Sequence, residues 1–355
     1  MQILNRYIRS QLLLNYLLVN VLLLGLFGFI DLAIQLEDVG KGSFGTREAV
    51  LYTLYHLPRR TIDLFPFAAL LASVLVLGAM AANRELVVMR GGGLSPTRIA
   101  GSLLKAGGWL LAAIIALELL VAPGLQQRAF QLRVTTVAGN SNQDDSAIWA
   151  KSGDGVVYIG SLKHGRIPTN VEIYDLGAKQ TLRNYVHADT ADITNPDRWL
   201  LHNVTVKNFA DSSDSYTKTQ ETMDWRPILS PAQLKVLDRP ADSLAVVDLY
   251  RYVHYLRAQG QNAQRFNLSL WQKLSMPITA LAMILLAAPL SFVNPRGSNL
   301  GLRVVIGAGI GLTVFAITQI SANLGLLYNL NAPLLTLVPG ALLIIVALFW
   351  LRRLT

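Results

Sequence analysis

The chain contains no cysteine, so disulfides, thiolate zinc sites, iron–sulfur clusters and cysteine nucleophiles are excluded together. Charge is scarce as well: 15% of residues are charged and 52% are hydrophobic, with a mean hydropathy of +0.39. A soluble protein of 355 residues carries more charge than this, so the composition is that of a membrane protein. Three catalytic patterns are also missing. Without GxxxxGK(S/T) there is no P-loop for a nucleotide's phosphates, and without GxSxG there is no nucleophile elbow. HExxH is missing too, and the five histidines (His56, His164, His187, His202, His254) have no short ligand spacing, which leaves a metal site unsupported. Acids are outnumbered by bases, 22 against 31, but a nucleic-acid reading of that excess requires the bases to cluster on a soluble surface.

What the chain does have is apolar runs of membrane length. A hydrocarbon core of roughly 30 Å needs about 20 residues of helix. Six runs qualify, at about Leu12–Leu36, Ile62–Ala82, Ser102–Val121, Leu268–Val293, Leu300–Leu324 and Pro333–Leu351. The first follows Arg6 and Arg9 but is too long for a signal-peptide core, so it reads as a retained membrane helix. Between the third and fourth runs, about 124–265, no segment is long and apolar enough to span. Stretches such as Gly155–Gly160, Asn170–Tyr174, Trp199–Phe209 and Tyr216–Trp225 are rich in β-branched and aromatic residues. Turns such as Ser152-Gly153-Asp154-Gly155 and Asn195-Pro196-Asp197 separate them, which predicts a sandwich, jelly roll or open barrel. From about Ser243 to Gln264 the period becomes helical, with Leu249, Tyr252, Val253 and Leu256 on one face.

Charge predicts the orientation. With a cytoplasmic N-terminus, the cytoplasmic pieces hold Arg6, Arg9, Arg84, Arg90, Arg98, Lys105, Arg296, Arg303, Arg352 and Arg353 against one acid, Glu85. That difference equals the whole net charge of +9, and the remaining bases and acids cancel. Lys and Arg accumulate in cytoplasmic loops, so both termini are expected inside and the β domain outside. The charge therefore reports topology, and nucleic acid is not an expected partner.

One cytoplasmic connection stands out, Asn83-Arg84-Glu85-Leu86-Val87-Val88-Met89-Arg90-Gly91-Gly92-Gly93-Leu94-Ser95-Pro96. It predicts a short helix over about 84–91, with Leu86, Met89 and Arg90 on one side, ended by glycines. Ser95-Pro96 supplies the cap and first turn of the next span. A short amphipathic helix between two spans suits docking into a partner's groove, or lying on the lipid surface.

This RELVVMRGGGLS segment resembles the coupling segment of the LptF/LptG (YjgP/YjgQ) lipopolysaccharide-export permease family, and the resemblance runs the length of the chain. Tyr52-Thr53-Leu54 leading to Pro58, Phe65-Pro66, Trp149-Ala150-Lys151, Val157-Tyr158-Ile159, Tyr252–Gln261, Trp271 and Lys273 resemble the LptG branch. Pro289-Leu290-Ser291 to Asn294-Pro295-Arg296 is more like LptF. The resemblance implies six transmembrane helices, three and three, flanking a periplasmic β-jellyroll, in the inner membrane of a Gram-negative bacterium. It further implies an LptF-like sibling, an LptB-like ATPase dimer, an LptC-like protein with a periplasmic bridge, and lipopolysaccharide as substrate. This subunit would then be non-catalytic and hold no cofactor, ATP and magnesium being bound by the ATPase.

Under the resemblance, Arg84, Glu85, Leu86, Met89 and Arg90 would couple to that ATPase. A phosphorylated head group with acyl chains calls for an apolar cavity with a cationic external rim. Lys41, Arg59, Arg60, Arg128 and Arg133 stand at that rim, and family resemblance points to Lys41, Arg59 and Arg133 for the head group. Each could instead snorkel or form a surface ion pair. Asp31, Glu37 and Asp38 stand where some relatives are basic, and Glu118 is an ionisable residue inside the third span. Gly25 and Gly28 in the first span, with the Gly307 and Gly311 GxxxG in the fifth, permit close helix approach; the family would use them against the sibling. Two other readings remain open: the permease of another ATP-driven exporter (lipoprotein release or MacB-like) and a non-transporting envelope scaffold. The first is opposed by six helices split three and three. The second is distinguished by whether an ATPase copurifies.

Overall fold

The computed structural model describes residues 2–137, 148–152, 155–163, 167–176, 181–195, 198–209, 216–225, 244–258, 263–292, 300–328 and 330–353. The expected turns at 153–154 and 196–197, Gln261, and the Asn294-Pro295-Arg296 segment lie outside them. The chain divides into two compact units, one of residues 1–139, 245–250 and 264–355, the other of 140–244 and 251–263.

In the first unit the helices are α1 (Gln2–Leu36), α2 (Thr46–Ala82), α3 (Glu85–Gly91), α4 (Pro96–Ala116), a π-helical turn (Leu117–Val121) and α5 (Ala122–Val137). Next come α6 (Val246–Ala258), shared between the units, then α7 (Gln264–Phe292), α8 (Leu300–Leu327) and α9 (Ala332–Arg352). Six helical segments among the described residues are long and apolar enough to cross a membrane, α4 doing so as one continuous segment to Arg133. Several helices overrun their apolar runs. α2 begins at Thr46 rather than near Ile62, and α5 carries the third span on to Val137, past the boundary expected at 123/124. Apolarity marks where a helix meets lipid, whereas capping sets where it begins, Gly45 N donating to Glu48 Oε2 at 3.0 Å at the start of α2.

α2 and α7 form the middle of this unit, α2 packing on α1, α5, α7 and α8, and α7 on α4 and α9. Their contact faces are built from small residues, Ala68, Ala69, Ala72 and Ser73 on α2 and Ala280, Ala287 and Ala288 on α7, all fully buried. Hydrophobicity gives helices no reason to associate in lipid, so close approach through small side chains supplies the contact. Leu14, Leu17, Leu18, Val21 and Leu22 of α1 remain exposed, as do Leu302, Val305, Leu312 and Ile320 of α8. On α6, Leu249, Tyr252, Val253 and Leu256 are the buried residues, the face that the period predicts.

The second unit holds one antiparallel sheet of β1 (Ile148–Ser152), β2 (Gly155–Lys163), β3 (Ile167–Leu176), β4 (Leu182–Asn195), β5 (Arg198–Asn208) and β6 (Tyr216–Trp225) in chain order. Among the described residues its strands follow one another as an up-and-down meander. Its core is Val157, Ile159, Val171, Ile173, Val186, Ala188, Ala191, Trp199, Leu201 and Val204. The inward-facing set changes phase within strands. β4 buries Ala188 and then Ala191, and β5 buries Leu201 and then Val204. The break falls at Asn203, whose φ of 53° is left-handed and whose Nδ2 donates to Asp189 Oδ2 at 3.1 Å. Asn170 on β3, also at φ 53°, marks the same kind of break. Asparagine tolerates this conformation, and each break bends its strand so that both ends face one core.

Candidate functional site: an ionic rim and a coupling helix

The rim begins with two adjacent arginines on α2. Successive helical residues are rotated by about 100°, so Arg59 and Arg60 reach different neighbours. Arg60 Nε donates to Asp31 Oδ2 of α1 at 2.7 Å. Arg59 pairs with Asp63 one turn further along α2 at 3.0 Å and with Glu118 of the π turn at 3.3 Å. On its other side Glu118 accepts a hydrogen bond from Lys273 of α7. The Lys273 and Glu118 side chains are only 8% and 14% exposed, which makes this the most enclosed ion pair of the group.

A second cluster lies where α1 turns toward α2. The turn uses Gly40 and Gly42 at φ of 96° and 60°, and Ser43 N donates to Thr136 O of α5 at 2.8 Å. Phe44, 2% exposed, anchors it, and burying a phenylalanine contributes ~1.5–3 kcal/mol. Asp38 thereby sits between Lys41 and Arg133, each 2.6 Å away. The hydrogen bond from Lys41 holds its carboxyl below the usual range, with the Arg133 charge assisting and burial opposing. Arg133 also lies 5.7 Å from the centre of the Tyr52 ring, where a guanidinium is attracted to the π face.

Of the rim residues expected from sequence, the structure gives Lys41, Arg59, Arg60 and Arg133 carboxylate partners. Arg128 is exposed on α5. The local acids Asp31 and Asp38 are the partners of Arg60 and Arg133. Sequence reasoning missed Asp63 and Lys273. The i,i+4 spacing of Arg59 and Asp63 is a visible signal for the first, and a lone lysine in an apolar span is a signal for the second. Arg59, Arg60, Lys41, Arg133 and Lys273 against Asp31, Asp38, Asp63 and Glu118 leave one positive charge in excess.

At the opposite end of α2, α3 spans Glu85–Gly91, with Arg84 at φ 62° turning the chain into it. Ser95 Oγ accepts from Arg98 N at 3.3 Å and Pro96 opens α4, the expected cap. Tyr7 of α1 donates to Glu85 Oε2 at 3.1 Å. Leu86 does not serve as a docking contact: it is 3% exposed and belongs to this chain's own core, with Met89 packed against the same core. The helix is anchored through that side, so Val87 and Val88, 53% and 73% exposed, form the apolar part of the free face beside Arg84 and Arg90, both exposed.

The glycine expectation is also corrected. A Cβ at Gly311 would lie 2.4 Å from Phe67 Cδ2, and one at Gly307 would lie 3.3 Å from Val74 Cγ2. Both neighbours are on α2, so the GxxxG packs α8 within the chain rather than against a sibling. Gly28 faces Leu57 of α2, while Gly25 faces open space.

Comparison with known proteins gives one family, described as "Lipopolysaccharide export system permease LptF/LptG", matched over residues 6–353. The chain is 30% identical over 353 residues to the lipopolysaccharide export system permease protein LptG of Escherichia coli (strain K12), covering 99% of this chain and 98% of that one. It is 28% identical over 350 residues to LptG of Haemophilus influenzae (strain ATCC 51907 / DSM 11121 / KW20 / Rd), covering 98% and 97%.

Proposed function

Because the chain belongs to the LptF/LptG family of lipopolysaccharide export system permeases, we propose that it is the LptG-type subunit of an ATP-driven exporter. In that role it draws lipopolysaccharide from the inner membrane and passes it to a periplasmic bridge. The observation that carries this reading is a family match spanning both the membrane helices and the inserted sheet. ATP is hydrolysed on a separate LptB-like chain that receives α3 through Val87, Val88, Arg84 and Arg90. An LptF-like sibling completes the cavity against exposed faces of α1 and α8, and the β unit meets the LptC-like protein on the periplasmic side.

Within this reading the rim binds the anionic head group. Lys41, Arg60 and Arg133 are each held by one carboxylate and Arg59 by two, and a phosphate that offers more charge and three acceptor oxygens competes for them with charge-assisted hydrogen bonds. Acyl chains take the apolar interior. The test is the triple variant Lys41→Gln, Arg59→Gln, Arg133→Gln, purified with its sibling and ATPase. It should assemble but lose photocross-linking of lipopolysaccharide from probes beside those positions. Wild-type cross-linking and transport by the triple variant would remove the rim from the substrate path.

A further inference from the structure

The enclosed pair Lys273–Glu118 lies behind the rim, one step removed from Arg59. Glu118 bridges two cations on two helices, Arg59 of α2 and Lys273 of α7, and Asp63 balances the group, so the four charges sum to zero. A desolvated ion pair adds little net stability compared with apolar residues of the same volume, and ionisable side chains within membrane spans are by default functional. Glu118 also sits in the π-helical turn Leu117–Val121; such turns in otherwise α-helical segments recur at functional sites.

Removing one partner of a buried pair is costly because the other charge is stranded. If Arg59 turned from Glu118 to an incoming anion, Glu118 would be stranded unless a second cation held it. Lys273 is that cation. We propose that Lys273 is a positioning residue for the rim: by keeping Glu118 neutralised, it frees Arg59 to leave Glu118 for a phosphate group of the substrate. This rests on the reading that Arg59 receives an anionic head group. It adds that the affinity of Arg59 for phosphate is set from behind, by a lysine that does not touch the ligand.

The experiment compares binding of diphosphorylated lipid A and its enzymatically dephosphorylated form to the full complex in nanodiscs, so that the readout is the preference for phosphate. Lys273→Met should reduce that preference by about tenfold, the worth of one charge-assisted hydrogen bond, because Glu118 then retains Arg59. Adding Glu118→Gln to Lys273→Met should restore it, and Lys273→Arg should keep it. A packing role for Lys273 would instead lower binding of both lipids alike. Arg59→Gln separates the two levels. If it abolishes the preference while Lys273→Met leaves it intact, the positioning role is overturned and the rim reading stands. If Arg59→Gln leaves the preference unchanged, Arg59 does not receive the phosphate and the positioning role falls, while the rest of the rim is judged by the triple variant.

Discussion

Asp38 carries two cations of different origin, Lys41 from its own turn and Arg133 from α5. Because its pKa is lowered in the folded chain, the stabilisation is complete above the unfolded carboxylate value of about 3.9 and is lost as pH falls through the lower folded value. Asp38→Asn should therefore be less stable than the parent at neutral pH, and thermal unfolding of the two should converge as pH drops below about 4. A difference that persists undiminished at the acid end would show that Asp38 acts through something other than its charge. At this scale the sequence reveals the kinds of residue better than their pairing. The cations of the rim are recognisable from their positions beside apolar runs, and Asp63 from its spacing to Arg59. Lys273 and Glu118, separated by 155 positions, meet only because α7 and the π turn pack in one bundle, a fact that no local pattern encodes.

Helices and strands show the same division between local and tertiary signals. The Ser95-Pro96 start of α4 and the glycine end of α3 were legible because caps are local chemistry. The side on which α3 is anchored was not, since a seven-residue amphipathic helix presents an apolar face to a partner or to its own core with the same sequence. The phase changes at Asn170 and Asn203 were equally hidden, because alternation alone presumes an unbroken strand. Two substitutions test the corrected packing. Gly311→Ala forces a Cβ onto Phe67 and should destabilise the folded chain by about 1–3 kcal/mol, the cost of overpacking. Gly25→Ala, facing open space inside α1, should not lower the melting temperature of the isolated chain, since alanine is the better helix former. Equal melting of both variants would argue against the α8–α2 contact. For α3, Val88→Asp puts a charge on the free face, and Glu85→Lys removes the acceptor of Tyr7. Both should reduce copurification of the ATPase or its lipid-stimulated hydrolysis, and normal hydrolysis by Val88→Asp would exclude that face from coupling.

For the whole molecule, six helices among the described residues that are long and apolar enough to span, and an inserted antiparallel sheet, were readable from composition and period, because membrane length and strand alternation are strong patterns. The sheet's order was not readable, since pairing depends on contacts between strands. The division of labour follows from the same architecture: the middle of α2 bears the arginines of the ionic rim and its C-terminal end leads into α3, so a single long helix joins the region proposed to bind substrate to the region proposed to receive the ATPase. In the proposed function this chain turns ATP hydrolysis on a partner into movement of lipopolysaccharide. The most direct test is to reconstitute it with its sibling and the ATPase in proteoliposomes containing lipopolysaccharide, then follow transfer of the lipid to a soluble periplasmic acceptor. Transfer should require ATP and this chain, and should fall when Arg59 and Arg133 are both replaced by glutamine. Transfer that proceeds equally without this chain, or hydrolysis that never yields transferred lipid, would contradict it.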